Sequence, residues 1–98
     1  MPHSDAPQGE VRHNEALSQF ELTVDGATSI AAYENIDGVM VFTHTETPPE
    51  GRGKGAAARL IKGALDWARA HGRKIEARCS YVVAYLQRHS DYADLTRR

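Results

Sequence analysis

The residues with the clearest chemical potential lie in one stretch, "TPPEGRGKGAAARLIKGAL", from Thr47 to Leu65. Gly51, Gly53 and Gly55 alternate with the cations Arg52 and Lys54, and an amphipathic run follows. A helix start carries unpaired N–H groups and the positive end of the helix dipole, so a glycine-rich entry into a helix suits an anion. Glycines let the backbone come close to that anion. Here the amides from Arg52 through Gly53, Lys54 and Gly55 to Ala56 would form the cradle, with the side chains of Arg52 and Lys54 supplying charge. A P-loop is excluded, because it needs glycine where Pro48 stands and Ser or Thr where Gly55 stands. Gly51-x-Gly53-x-x-Ala56 formally fits a dinucleotide fingerprint. That fingerprint follows the first strand of a βαβ repeat, whereas Pro48 and Pro49 interrupt the chain here and too little of it remains for a doubly wound fold.

Cys79 and His44 are the other reactive side chains. A lone cysteine in a strand is ordinarily a small buried hydrophobe. It becomes a nucleophile only as thiolate, which the start of a helix near Ser80 would favour. Strict alternation puts His44 on the face of Met40 and Phe42, where a hydrogen-bonded structural histidine and a general base near neutral pH are both open readings. Glu46 and Glu76 are alternative bases that read equally as surface carboxylates. Tyr81, Tyr85, His89 and Tyr92 form an aromatic cluster that reads first as packing. His3, His13 and His71 have no partners at metal-ligand spacing, so no metal site is expected.

The elements that must position these groups follow from periodicity. "SQFELTV" alternates Phe20, Leu22 and Val24 with polar neighbours, the pattern of a half-buried strand, and it stops at Asp25-Gly26. "ATSIAAYENI" ends at a second Asp-Gly, Asp37-Gly38, and "VMVFTHT" is a third strand with a well-buried start. Ala57, Leu60, Ile61, Ala64, Leu65 and Ala68 then recur at helical spacing, and Gly72 is a natural stop. "RKIEARCS" reads as a fourth strand and "SYVVAYLQRHS" as a second helix with Ser80 as its N-cap. The expected architecture is one α/β domain over residues 13–98, with a mainly antiparallel sheet and the order β-β-β-α-β-α. Residues 1–12 are polar and read as a disordered tail.

Composition bounds the rest. Ninety-eight residues with 41% apolar content make one core. No apolar run is long enough to span a bilayer, and the first residues lack the apolar centre of a secretory signal. A single cysteine excludes an internal disulfide framework and fits a reducing, cytoplasmic setting. The net charge of −1 conceals a division. Residues 1–50 hold one cation and nine carboxylates, whereas residues 51–98 hold eleven Lys/Arg and four carboxylates. Either the halves neutralise each other in the fold, or the basic half holds a polyanion.

With these residues in view, the sequence resembles the GNAT N-acetyltransferase superfamily. Gly53-x-Gly55 matches the second half of its pyrophosphate loop, with Glu50 where the superfamily has Gln or Arg. The combination of "FTHTETPPEGRGKGAAARL" and "KIEARCSYVVAYLQRHSDYADL" is similar to a small, single-motif branch of GNAT-like proteins, and the likeness runs from Phe20 to Leu95. The resemblance implies acetyl-CoA as cofactor, its pyrophosphate on the glycine loop and its pantetheine arm where the third and fourth strands splay apart. It also implies that Cys79 and His44 are catalytic, and that Tyr81, Tyr85 and His89 lie near the cofactor. The function it implies is transfer of acetyl from acetyl-CoA to an amine of a protein or small molecule, directly or through Cys79. A CoA- or acyl-CoA-binding module without catalysis is the alternative. A nucleic-acid binder fits less well, for want of interleaved aromatic and basic residues. So small a chain has little protein for an acceptor pocket, which leaves monomer and homodimer both open.

Overall fold

A computed structural model describes residues 9–53 and 55–96. Its five-stranded sheet is built from β1 (Arg12–Asn14), β2 (Gln19–Val24), β3 (Ala27–Ile36), β4 (Val39–Glu46) and β5 (Lys74–Ala77), in that spatial order. Helix α1 (Ala56–Ala70) joins β4 to β5, and α2 (Ser80–Arg88) follows β5. All neighbours are antiparallel except β4 and β5, which run parallel because α1 carries the chain back across the sheet.

The two Asp-Gly dipeptides make the turns expected of them. Asp25 and Gly26, like Asp37 and Gly38, all have positive φ, the backbone of two-residue hairpins whose twist matches the strands. The expected element order is present, preceded by β1. That strand gave no periodic signal, since Arg-His-Asn has no alternation of apolar residues. It exists because it pairs with β2, Arg12 opposite Glu21 and Asn14 opposite Gln19. Of the expected tail, residues 1–8 lie outside the described residues. Gly9 donates its N–H to the Thr23 carbonyl at 2.9 Å, so the chain is already tied to the sheet there.

The core lies on one face of the sheet. Phe20, Leu22, Ala31, Tyr33, Met40, Phe42 and Ile75 meet Leu60, Ile61, Ala64, Leu65 and Ala68 of α1, and Val82 and Tyr85 of α2. The stripe predicted for α1 is buried from Leu60 onward, but at its first turn Ala56 is buried and Ala57 only partly so. In α2, Val82 and Tyr85 face inward while Val83 is exposed. Gly72 terminates α1 with φ +65°, and Arg73 N–H returns to the Ala68 carbonyl at 2.8 Å.

One irregularity resets the alternation of β4. Ala32 pairs with His44, yet Tyr33 pairs with Phe42, so Thr43 is an extra residue. Beyond this bulge the faces exchange. Thr45, opposite buried Ala31, joins the face of Phe42, and His44, opposite Ala32, points to the other side. The expectation that His44 shares a face with Met40 and Phe42 is thereby corrected.

Candidate active site

Each glycine of the loop has its own reason to be there. Gly53 and Gly55 have φ of +82° and +73°, a left-handed backbone that side chains disfavour, and a Cβ at either would meet nothing within 4 Å. Gly51 is buried with ordinary φ; a Cβ there would lie 3.5 Å from Ala27 and 3.4 Å from Thr47. So Gly51 fits the loop against β3, whereas Gly53 and Gly55 shape a turn that faces open space.

Gly55 is the N-cap of α1, and no side chain caps the helix. The first intrahelical bond runs from Arg59 N–H to the Gly55 carbonyl. Helix geometry therefore leaves the amides of Ala56, Ala57 and Ala58 without an intrahelical acceptor. No carboxylate occupies the first turn. The arrangement is a positively polarised helix end with free donors and no anion of its own.

These groups line a cleft of about 380 Å³, walled by Gly51, Arg52, Gly53, Gly55 and the three alanines on one side, and by Thr45, Thr47 and Tyr81 on the other. A second recess, about 460 Å³, shares Thr45, Thr47 and Arg52 and adds Glu46 and Pro48. Arg52 bridges the two and donates from Nε to the Thr47 carbonyl at 3.2 Å. Lys54 lies outside the described residues.

The far wall of the cleft exists because β4 outlasts β5. Their pairing ends at Phe42 and Ala77, while β4 continues along β3 to Glu46. The amides of Arg78 and Cys79 both turn onto the Phe42 carbonyl, at 2.9 and 3.1 Å, and the chain leaves the sheet. Cys79 accordingly sits just beyond β5 as the N-cap of α2, and Ser80 is the first helical residue rather than the cap. Across the opening, Cys79 Sγ lies 3.2 Å from Thr45 Oγ1. The thiol is half-buried, which by itself raises its pKa. The Thr45 hydroxyl and the backbone amides of Val82, Tyr81 and Thr45 outweigh that effect and bring it below the ordinary thiol value.

Thr45 is the functional candidate that sequence reasoning passed over. Strict alternation sets it opposite Phe42, and only the bulge at Thr43 turns it inward. Tyr81 lines the cleft. Tyr85 is buried in the core, its ring stacked 4.0 Å from that of exposed His89, and neither reaches the cleft wall. His44 is exposed and hydrogen-bonds Glu46 at 3.0 Å. No group of three or more His, Cys, Asp or Glu among the described residues could hold a metal ion.

A helix start with free amides, a cleft between diverging parallel strands and a thiol beside it are the setting for the comparison with known proteins. Residues 19–95 match the GCN5-related N-acetyl-transferase family. The chain belongs to that family. It is also similar to Protein NATD1 of Gallus gallus, at 32% identity over 89% of this chain and 88% of the relative. Protein NATD1 of Mus musculus is 32% identical over 88% of this chain and 84% of its own, and that of Homo sapiens 31% identical over 79% and 71%. The GCN5-related match begins at Gln19, the first residue of β2, and ends within the last turn (Ser90–Leu95). It therefore spans the glycine loop, both helices and the point where β4 and β5 part. Helices of the described residues are all too short or too polar to cross a membrane.

Proposed function

We propose that this GCN5-related protein transfers an acetyl group from acetyl-CoA to an amine. The observation that carries the reading is the uncapped N-terminus of α1, entered through Gly53 and Gly55 and opening into the same cleft that Thr45 lines beside Cys79. The cofactor's pyrophosphate fits the amides of Gly53, Gly55 and Ala56, with Arg52 and Lys54 for charge. Its pantetheine arm follows the gap past Phe42, where the carbonyl and amide groups of β4 beyond the last β5 pair are available to it. That course brings the thioester to Thr45, Cys79 and Tyr81.

An amine then attacks the thioester carbonyl and expels the thiolate of coenzyme A. The oxyanion formed at that carbon needs backbone N–H donors, and those at the start of α2 are the nearest candidates. The lowered thiol pKa also makes Cys79 competent to take the acetyl first and pass it to the amine, the route with a covalent intermediate. His44, supported by Glu46, is the proposed proton acceptor for an incoming ammonium, reached through solvent because it stands on the opposite face from Thr45.

The direct test is release of free coenzyme A thiol on mixing protein, acetyl-CoA and a panel of amines, with Cys79→Ala and His44→Gln alongside. Amine-dependent release by the wild-type chain is expected. Loss of it in Cys79→Ala with binding intact selects the covalent route, and retention selects direct attack. Binding of acetyl-CoA with no release for any acceptor would replace this reading with that of an acyl-CoA-binding module.

A further inference from the structure

The segment from Gly9 to Asn14 lies along α1 with a matched repeat. Gly9 meets Arg59, whose Nη2 donates to the Gly9 carbonyl at 3.0 Å. Val11 meets Gly63, where an added Cβ would come within 2.5 Å of Val11 Cγ2. His13 meets Trp67, ring centroids 4.2 Å apart. Two extended residues advance about 6.6 Å and four helical residues about 6 Å, so each second residue of the strap finds each fourth residue of the helix. Gly63 is thus explained by Val11.

The two ends of this strap are held differently. At the start are two hydrogen bonds: Gly9 N–H donates to the Thr23 carbonyl of β2, and Arg59, an exposed arginine of the first turn of α1, donates to the Gly9 carbonyl. At the other, His13 stacks on Phe20 at 4.3 Å with planes 10° apart, stands edge-on to Trp67, and its Nε2 pairs with the Tyr33 hydroxyl. We propose that the strap Gly9–Asn14 is a proton-sensitive latch on α1, held by neutral His13 and released when His13 is protonated, which frees Arg59 for the anion at the head of the same helix. The second half of this proposal rests on the acetyl-CoA reading above; the first half does not.

The charged and titratable groups around His13 act as follows. Burial lowers its pKa most; Glu15 of the neighbouring turn raises it, and His71 and Arg73 beyond the end of α1 lower it. The net direction is down from 6.5. Tyr33 is shifted up by burial and so stays a phenol. Protonation leaves the Tyr33 hydroxyl able to accept from Nε2–H but places a charge in a partly buried position between Phe20 and Trp67. It is that desolvated charge that disfavours the latched state. Stability conferred by the latch is therefore complete above pH 6.5 and declines as pH falls below it.

Hydrogen–deuterium exchange, corrected for the intrinsic pH dependence of amide exchange, tests the latch. Protection at residues 9–14 should be intact at about pH 7.5 and lost only as pH falls below 6.5 towards about pH 5, while that of Leu60–Ala68 persists. Trp67 is the sole tryptophan and reports the same event by fluorescence. The transition should vanish in His13→Phe, which keeps a ring but cannot titrate. It should survive in His71→Gln, which removes the other imidazole stacked on Trp67. Unchanged protection across that range, or a transition that persists in His13→Phe, overturns the latch. Should His13→Phe fold poorly, loss of the transition in His13→Gln, which keeps a polar partner for Tyr33 but cannot titrate, serves the same purpose. Inorganic pyrophosphate affinity should rise more on acidification in the wild type than in Arg59→Ala. An equal rise in both overturns the link to Arg59. No pyrophosphate or acetyl-CoA binding at either pH contradicts the acetyl-transfer reading and that link together, while exchange still decides the latch.

Discussion

The two ends of α1 are opposites. At its C-terminal end the helix is packed and capped: Trp67 meets His13 and Phe20, His71 stacks on Trp67 at 3.9 Å, and Gly72 turns the chain so that Arg73 can satisfy the Ala68 carbonyl. At its N-terminal end nothing caps the helix, two left-handed glycines face open space, and the neighbouring strands separate. One helix thus serves as anchor at one end and opens at the other into the cleft proposed to bind the cofactor. The contrast separates the end that holds the fold from the end to which the proposed function is assigned. Rings and aliphatic side chains hold the fold, and the cleft adds the helix-start amides that have no intrahelical acceptor.

If that division is right, substitutions at the closed end cost stability and those at the open end cost binding. The largest effect belongs to Phe20→Ala, which removes a fully buried ring touching His13, Tyr33, Phe42 and Trp67. A loss of about 4 kcal/mol in urea unfolding is expected. A loss below about 1 kcal/mol would mean that the closed end is not the anchor.

Tyr92→Phe comes next, at about 2 kcal/mol, because the Tyr92 hydroxyl donates to Asp66 at 2.6 Å and docks the last turn (Ser90–Leu95) on α1. Burial and that carboxylate push Tyr92 up to about 12 from the ordinary value of 10. A raised folded pKa means that this contribution is intact below pH 10 and lost as pH rises through 12. Alkaline unfolding should accordingly be less steep in Tyr92→Phe than in the wild type.

Gly55→Val should cost only about 1–2 kcal/mol of stability, the strain of a side chain at positive φ, yet abolish acetyl-CoA binding. Binding left intact by this variant would separate the cofactor site from the open end. The smallest effect on stability, about 1 kcal/mol, is expected for Thr45→Val. Its signature is chemical: iodoacetamide should alkylate Cys79 more slowly near neutral pH, and Thr45→Ser should restore the rate. An unaltered pH profile would show that the Thr45 hydroxyl does not tune the thiol.

Much of this contrast was legible in the residues. The Asp-Gly pairs announced both hairpins, the spacing from Leu60 to Ala68 announced α1, and Gly53 and Gly55 ahead of the alanines announced an open, glycine-lined entry into that helix. Information held across strands was not legible. The bulge at Thr43 is a choice of register between β3 and β4, and it alone decides that Thr45 rather than His44 faces Cys79. Short β1 has no pattern of its own, because its reason to exist lies in β2 and Gly63. Cys79 reads as a strand residue until the Phe42 carbonyl is seen to take two successive amides and turn the chain into α2.

The central claim is that the open end of α1 holds acetyl-CoA. Calorimetric titration of the wild-type chain and of Gly55→Val with acetyl-CoA, with NAD and ATP as controls, tests it most directly. The account predicts micromolar binding of acetyl-CoA to the wild type, none to Gly55→Val, and no comparable heat from NAD or ATP. No heat from the folded wild-type chain at millimolar acetyl-CoA would contradict it.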